Sequence, residues 1–239
     1  FKHIEQHTMS SKILFIITNN SKMGNNTEHK PTGYYLPEIA HPYAVLTKAG
    51  FAIDFSSPKG GPTPCDVGSA EQYKDKDEAS KFFYNDADIQ KRMQNTLVTS
   101  KVNPADYVAV FYPGGHGPMW DLPEDEAVGA VAAKVYENGG VVAAVCHGPV
   151  GLVPIKLSNG KYLVDGKKVT SFTNSEEEVM KLTSTMPFLL ETKLGERGAK
   201  FVGKPDWQNH VVVDERLVTG QNPASATSVG EEMVKLLKK

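Results

Sequence analysis

Only two cysteines, Cys65 and Cys146, occur in the 239 residues of the chain. That number excludes a disulfide framework of the kind that stabilises small secreted domains. The chain also lacks any run of about 18 apolar residues that could span a bilayer, and its first residues show no apolar segment followed by a small-residue cleavage site. These absences predict a protein of the reducing cytoplasm, without a membrane partner.

An excess of charge of either sign is also missing, since 26 Lys and Arg stand against 28 Asp and Glu. The chain therefore gives no electrostatic reason to expect a nucleic-acid partner. No C-x-x-C or H-E-x-x-H motif occurs, and no G-x-G-x-x-G follows a strand, so neither a metal nor a dinucleotide cofactor is predicted. Glu38 and His41 stand three residues apart but lack an obvious third ligand.

Phe1 is not an initiator residue, and Met9 is the expected natural start. We therefore expect residues 1–8 to be an appended leader. Residues 9–239 show no linker rich in Pro, Gly and Ser and no internal repeat, which predicts one domain. The polar stretch 60–83 is the least regular part of the chain, and it is predicted to be an insertion within that domain.

Strand-like runs alternate with helical patterns along the chain, which predicts a mostly parallel sheet with helices on both faces. The predicted strands are 12–18, 51–57, 107–115, 141–145, 167–172 and 210–220. The predicted helices are 36–50, which Gly50 would end, 85–96 with Asn85 as N-cap, 123–140, 222–239 and one that begins just after Cys146.

The most informative stretch is "GGVVAAVCHGPVGL", where a continuous apolar strand ends on Cys146. Ligands of such sheets bind beyond the carboxyl ends of the strands. Ala144 and Gly148, two positions on either side of the cysteine, leave the room that a tight nucleophile elbow requires. A helix that starts after Cys146 would favour the thiolate through its dipole. The alternative is that Cys146 is a small buried apolar residue.

A second glycine-rich turn, "YPGGHGPMWDLP", also follows a predicted strand. The backbone N–H groups of Gly114 and Gly115 are candidates to bind an oxyanion, because glycine lets the backbone approach a ligand closely. His116 and Trp120 are expected at the mouth of the same pocket. A simple tight turn explains the glycines equally well.

These two motifs together closely resemble the ThiJ/PfpI superfamily. The segments "PTGYYLPEIAHPY" and "TGQNPASAT" resemble one branch of it, which contains cofactor-independent glyoxalase III enzymes, also described as heat-shock chaperone-like proteins. The resemblance covers Ser11 to about Lys238. It implies a flavodoxin-like α/β sandwich with a nucleophile elbow, in agreement with the strand and helix pattern.

The resemblance also implies roles for individual residues. Cys146 is similar to the family nucleophile, and His147 to the histidine that follows it. Glu38 is similar to the acid that hydrogen-bonds the sulfur and moves protons, and it needs to be protonated at the start of the reaction. Gly115 is similar to the glycine of the oxyanion hole.

In this branch a further carboxylate commonly orients the histidine. The segment "SFTNSEEEVM" offers Glu176, Glu177 and Glu178 as candidates. The position of the preceding "FT" favours Glu177. A solvent-exposed helix start would explain the same run of acids.

The function implied by the resemblance is a glutathione-independent glyoxalase III, a homodimer that converts methylglyoxal and related 2-oxoaldehydes to 2-hydroxy acids such as lactate, without a cofactor. The alternatives are a redox sensor or holdase chaperone that uses the same cysteine, and a deglycase or peptidase of the superfamily. An α/β-hydrolase would need a late histidine, for which His210 is the candidate. A class-I glutaminase would need an H-x-E pair there, and Val211 and Val212 follow His210 instead.

Overall fold

The computed structural model describes residues 12–25, 29 and 31–239. The expectations about the leader 1–8 and the start at Met9 lie outside these residues. None of the helices in the described ranges combines the length and the hydropathy needed to cross a membrane.

The centre of the fold is a seven-stranded sheet in the order β3-β2-β1-β4-β5-β9-β8. All neighbouring strands in it are parallel except β8 and β9, which are antiparallel. A small parallel pair, β6 and β7, forms a second sheet, which contacts β8 through a hydrogen bond from the N–H of Lys168 to Asp214. The strands are β1 Lys12–Ile16, β2 Ala52–Ser57, β3 Leu97–Val98, β4 Ala109–Tyr112, β5 Val141–Val145, β6 Lys168–Val169, β7 Lys200–Phe201, β8 Val211–Asp214 and β9 Leu217–Gly220.

Helices cover both faces of this sheet, as the alternation in the sequence predicts. They are α1 Leu36–Lys48, α2 Val67–Tyr73, α3 Glu78–Asn85, α4 Ala87–Gln94, α5 Pro118–Asp121, α6 Glu126–Glu137, α7 Asn174–Val179, α8 Leu190–Glu196 and α9 Ala226–Leu237. Short 3-10 helices occur at Thr99–Lys101, Pro104–Asp106, Gly148–Leu152 and Pro223–Ser225.

Two apolar cores result, one on each face, because successive side chains of a strand point to opposite sides. Ile13 and Phe15 of β1 join the core that contains α1 and α9. Leu14 and Ile16 join the core that contains α6. Burial on both faces explains why the central strands are continuous apolar runs.

Three local predictions differ from the structure. Residues 210–220 form a hairpin of β8 and β9, because the chain reverses at Glu215, which adopts a positive φ of 53°. Asp86 rather than Asn85 caps α4, since its carboxylate accepts hydrogen bonds from the backbone of Asp88 and Ile89. The polar stretch 60–83 is more regular than predicted, because it holds α2 and most of α3.

The segment after Cys146 also differs from the prediction of a regular helix. It forms a five-residue 3-10 helix, Gly148–Leu152. A helix this short has few aligned peptide dipoles, so it gives little of the electrostatic help that a long α-helix would give a thiolate.

Candidate active site

Cys146 lies directly after β5 and adopts a left-handed backbone conformation with φ of 59°. Its N–H donates to the carbonyl of Gly220 at 2.9 Å, and its own carbonyl accepts from the N–H of Phe172 at 2.8 Å. Such a conformation costs about 1–3 kcal/mol in a residue other than glycine. The two hydrogen bonds hold it in place, so the elbow that the sequence predicts is present and is anchored on both sides.

The neighbouring glycines are required by close backbone contacts. A Cβ on Gly148 would lie 2.1 Å from the carbonyl oxygen of Tyr112. A Cβ on Gly114 would lie 2.4 Å from a carboxyl oxygen of Glu38 and 2.6 Å from the carbonyl oxygen of Val145. Only glycine therefore lets the turn after β4, the elbow and Glu38 come together.

His147 connects the thiol to a carboxylate. Its Nδ1 lies 3.4 Å from Sγ of Cys146, and its Nε2 lies 2.6 Å from Glu177. Burial raises the pKa of Glu177, but the charges and hydrogen bonds of His147 and His116 outweigh it and hold the pKa well below its usual value. An ionised Glu177 accepts a hydrogen bond from the Nε2–H of His147, and this leaves the Nδ1 lone pair directed at the sulfur.

His116 shares the same carboxylate, with its Nε2 3.0 Å from the other oxygen of Glu177. Its ring lies 4.2 Å from the ring of His147, which in turn lies 4.4 Å from the ring of Phe172. Burial and the nearby His116 lower the pKa of His147, so its imidazole is neutral near pH 7. Phe172, the phenylalanine of the "FT" pair, is a further residue of the site, for which no role was predicted from the sequence.

The choice among the three adjacent acids follows from the start of α7. Thr173 and Glu176 form a capping box, and Glu176 is buried under further hydrogen bonds from the backbone of Trp207 and the side chain of Asn222. Glu178 is exposed and accepts a hydrogen bond from Thr183. Glu177 is thus the acid that reaches His147.

Glu38 lies in the first turn of α1, and it is fully buried against the thiol. The N–H of the nearby Tyr35 donates to the carbonyl of Gly114 at 3.0 Å and so ties the start of α1 to the turn after β4. Burial raises the pKa of Glu38 to about 8, although the Cys146 thiol and the N–H groups of Gly114 and Gly115 act in the opposite direction. The carboxyl is therefore mostly protonated near neutral pH.

Neither carboxyl oxygen of Glu38 makes a hydrogen bond of normal geometry to a described residue, although the Cys146 thiol and the N–H groups of Gly114 and Gly115 lie beside the carboxyl. Glu38 is therefore next to the sulfur and the glycine turn, where a protonated carboxyl can act on a molecule bound to Cys146.

The pKa of the Cys146 thiol does not follow the expectation from a helix dipole. Burial, followed by the charge and hydrogen bond of Glu38, raises it well above its usual value. The residue is only 3% exposed, and the 3-10 helix after it is too short to compensate. The resting site therefore holds a neutral thiol, and its ionisation is coupled to that of Glu38.

The other predicted residues have different positions. Trp120 lies in α5 and borders a separate polar cavity of about 300 Å³ with Asn19 and Asp121, because the turn at Pro118 carries it away from the elbow. His210 bonds the carbonyl of Val202, so it forms part of no triad.

His41 pairs with Asp77 at 2.9 Å rather than with Glu38. Cys65 is half-buried and reduced, and burial raises the pKa of its thiol to about 12. Within the described residues, the only candidate metal-ligand group is His116, His147 and Glu177, whose donor atoms lie within 4.8 Å of one another. Their hydrogen bonds to one another already satisfy these atoms.

A cavity of about 340 Å³ opens beside the start of α1, the helix that carries Glu38. It is bordered by Tyr35, Pro37, His41, Tyr73, Trp207, Asn222, Pro223 and Ala224. Trp207 contacts Phe172 with ring centres 5.6 Å apart and so lies one ring away from His147. Trp207 is a functional candidate that the motifs did not indicate; its signal in the sequence is a single tryptophan in the polar loop "GKPDWQNH".

A doubly wound α/β fold with a strained cysteine elbow, backed by a histidine and a carboxylate, defines a class of cysteine-dependent flavodoxin-like proteins. The chain belongs to the DJ-1/PfpI family, whose sequence pattern matches residues 32–236. This confirms the resemblance found in the motifs.

Several relatives are similar over most of their length. The chain is 32% identical over 235 residues to the glutathione-independent glyoxalase HSP31 of Saccharomyces cerevisiae, covering 95% of this chain and 98% of the relative. It is 38% identical over 218 residues to the glutathione-independent glyoxalase hsp3102 of Schizosaccharomyces pombe, covering 87% and 90%. The crystal structure of glyoxalase III from Candida albicans superposes with a TM-score of 0.86 at 30% identity, covering 95% and 98%.

Proposed function

We propose that this protein is a glutathione-independent glyoxalase that converts methylglyoxal and related 2-oxoaldehydes, with water, to 2-hydroxy acids such as lactate. The observation that carries the proposal is the contact of one buried thiol with a neutral imidazole on one side and a protonated carboxyl on the other. The names of the relatives from S. cerevisiae, S. pombe and C. albicans support the same activity.

The first step joins the sulfur to the aldehyde carbon. Sγ of Cys146 attacks C1 while its proton passes to Nδ1 of His147, and Glu38 protonates the aldehyde oxygen, which forms a neutral hemithioacetal. Glu177 stabilises the imidazolium that forms. Because the thiol is neutral at rest, the nucleophilic thiolate forms only when the Cys146 proton passes to His147. The backbone N–H groups of Gly115 and His147 are the proposed donors to the developing oxyanion.

The next steps move hydrogen from C1 to C2. Glu38, now ionised, removes the C1 proton while His147 protonates the C2 oxygen, and an enediol forms. Glu38 then returns its proton to C2 while His147 takes the proton of the C1 hydroxyl, which gives a lactoyl thioester on Cys146. Water then cleaves the thioester, which releases lactate and restores the thiol. C1 is oxidised and C2 is reduced within one molecule, so the scheme balances without an external oxidant or reductant.

Read in reverse, the reaction is a loss of water from lactate, so the enzyme would be classed as a hydro-lyase. The two free cysteines support a reducing location such as the cytoplasm. We also propose that the protein is a homodimer, which the family resemblance implies.

The direct test is glutathione-free consumption of methylglyoxal with lactate identified as the product. Cys146→Ala should abolish turnover, while the matched variant Cys65→Ala should retain nearly all of it, because the Cys65 thiol lies outside the elbow. Equal losses from the two substitutions would contradict the assignment of the nucleophile.

Glu38→Gln separates an enzyme from a protein that needs only a reactive thiol. Loss of a general acid and base should lower lactate formation by roughly 10²–10⁴-fold. The variant should still form a hemithioacetal adduct on Cys146, detectable as a mass increase on its peptide. If the parent forms lactate and Glu38→Gln forms it as fast, another group moves the proton.

A redox sensor or a holdase would form no lactate in the parent protein. The structure favours the enzyme over the sensor, because ready oxidation requires an exposed thiol of low pKa. Cys146 is 3% exposed, and burial raises its pKa.

A further inference from the structure

The 340 Å³ cavity beside the start of α1 is far larger than methylglyoxal requires. Pockets of about 300–1,000 Å³ hold drug-sized ligands, whereas methylglyoxal is much smaller than those. The chemistry at Cys146 involves only C1 and C2 of a 2-oxoaldehyde. The remaining space is therefore available to the group attached to C2.

The walls of this cavity are mainly aromatic and apolar. Tyr35 and Tyr73 meet edge to face with ring centres 5.9 Å apart, and Trp207 and Pro223 also border the space. Aromatic side chains favour offset or edge-on contacts with another ring. Among the described residues no lysine or arginine borders the cavity, and the imidazole of His41, which does, pairs with Asp77. Within that part of the chain the lining therefore offers no unpaired cation to a phosphorylated or carboxylated substituent.

The cavity lies beside the residues that surround the reacting sulfur. Tyr35 and Pro37 border it, and Pro37 directly precedes Glu38. The N–H of Tyr35 donates to the carbonyl of Gly114 at 3.0 Å. Asn222 follows Gly220 by two residues, and Gly220 accepts the N–H of Cys146. A substituent on C2 would thus extend from the elbow directly into the cavity.

The cavity is also preorganised by one buried carboxylate. The same oxygen of Glu176 accepts hydrogen bonds from the N–H of Trp207 at 2.9 Å and from the side-chain amide of Asn222 at 2.8 Å. Contact with Phe172, whose ring centre lies 5.6 Å away, holds the ring of Trp207 beside the cavity. Glu176 is fully buried, and so it holds two walls of the cavity in place while its neighbour Glu177 orients His147.

We infer that this cavity binds the substituent of the substrate, and that the preferred substrates are 2-oxoaldehydes with an aromatic group on C2. This inference rests on the proposed function and adds the substrate class to it. A single methylene in an apolar pocket changes specificity by roughly 10-fold or more. A phenyl group in place of methyl should therefore raise kcat/KM by at least about tenfold.

The test compares initial rates with phenylglyoxal and methylglyoxal in the absence of glutathione. The parent should prefer phenylglyoxal by about tenfold or more, and Trp207→Ala should lower the ratio of the two kcat/KM values by about the same factor. Phe82→Ala is the matched control, because Phe82 is an aromatic residue that is 57% exposed and does not border the cavity. It should leave the ratio unchanged.

A ratio near one in the parent, or one that Trp207→Ala does not lower, would overturn the inference while leaving the proposed function intact. If the parent converts neither aldehyde, the proposed function fails, and the cavity is then tested by calorimetric titration of Cys146→Ala with mandelate and lactate. Mandelate should bind at least about tenfold more tightly, and Trp207→Ala should remove that difference. Equal binding of the two acids would overturn the inference on its own.

Discussion

Replacing Glu38 by glutamine should make the stability of the protein less dependent on pH. Burial raises the pKa of Glu38 from 4.5 to about 8, so the folded chain keeps a proton that the unfolded chain has released across that range. The stability that Glu38 contributes is complete at a pH below its pKa in the unfolded chain. It is lost as the pH rises toward its pKa in the folded chain. Glutamine keeps the size of the side chain but does not titrate.

Each pH unit inside the window changes the unfolding free energy by about 1.4 kcal/mol for one proton. Between about pH 5.5 and about pH 7.5 the parent should lose about 2.5 kcal/mol relative to Glu38→Gln. Urea unfolding at several pH values measures the free energy of unfolding of the parent and of Glu38→Gln. An unchanged m-value confirms that both proteins expose the same surface when they unfold. Glu178→Gln, at an exposed acid of α7, is the control and should follow the parent. Parallel profiles for the parent and Glu38→Gln would refute the burial argument.

Three further substitutions test the elbow and its support. Gly148→Ala should destabilise the fold by more than about 2 kcal/mol, because its Cβ would lie 2.1 Å from the carbonyl oxygen of Tyr112. Gly195→Ala, where nothing lies within 4 Å of the added Cβ, should cause no loss in the same chemical denaturation. Cys146→Gly should be more stable than Cys146→Ala by about 1 kcal/mol, since only glycine relaxes at a φ of 59°; equal stabilities would show that the backbone is unstrained. Glu177→Gln should reduce lactate formation by at least roughly 100-fold with an unchanged circular dichroism spectrum, and full activity would remove Glu177 from the mechanism.

The part of the site that follows from local geometry could be predicted from the sequence. Close contacts between neighbouring segments of backbone allow only small residues around Cys146 and only glycine after β4. Such a restriction is visible directly in the sequence as residue type. The alternating sheet and helices were predictable for the same reason, because each strand is buried on both faces. Even the capping box at Thr173 and Glu176 is written in the spacing of those two residues.

The tertiary structure alone decided what depends on distance and burial. The sequence contains no measure of how far Glu177 lies from His147, and the motif left three adjacent acids as candidates until the turn of α7 aimed one of them at the imidazole. Depth of burial likewise decided the charge states, because it raises the pKa of Cys146 where the helix pattern had predicted a thiolate. The cavity beside Trp207 arises from loops that are distant in the chain and meet on the buried carboxylate of Glu176, a contact between remote residues that no local pattern encodes.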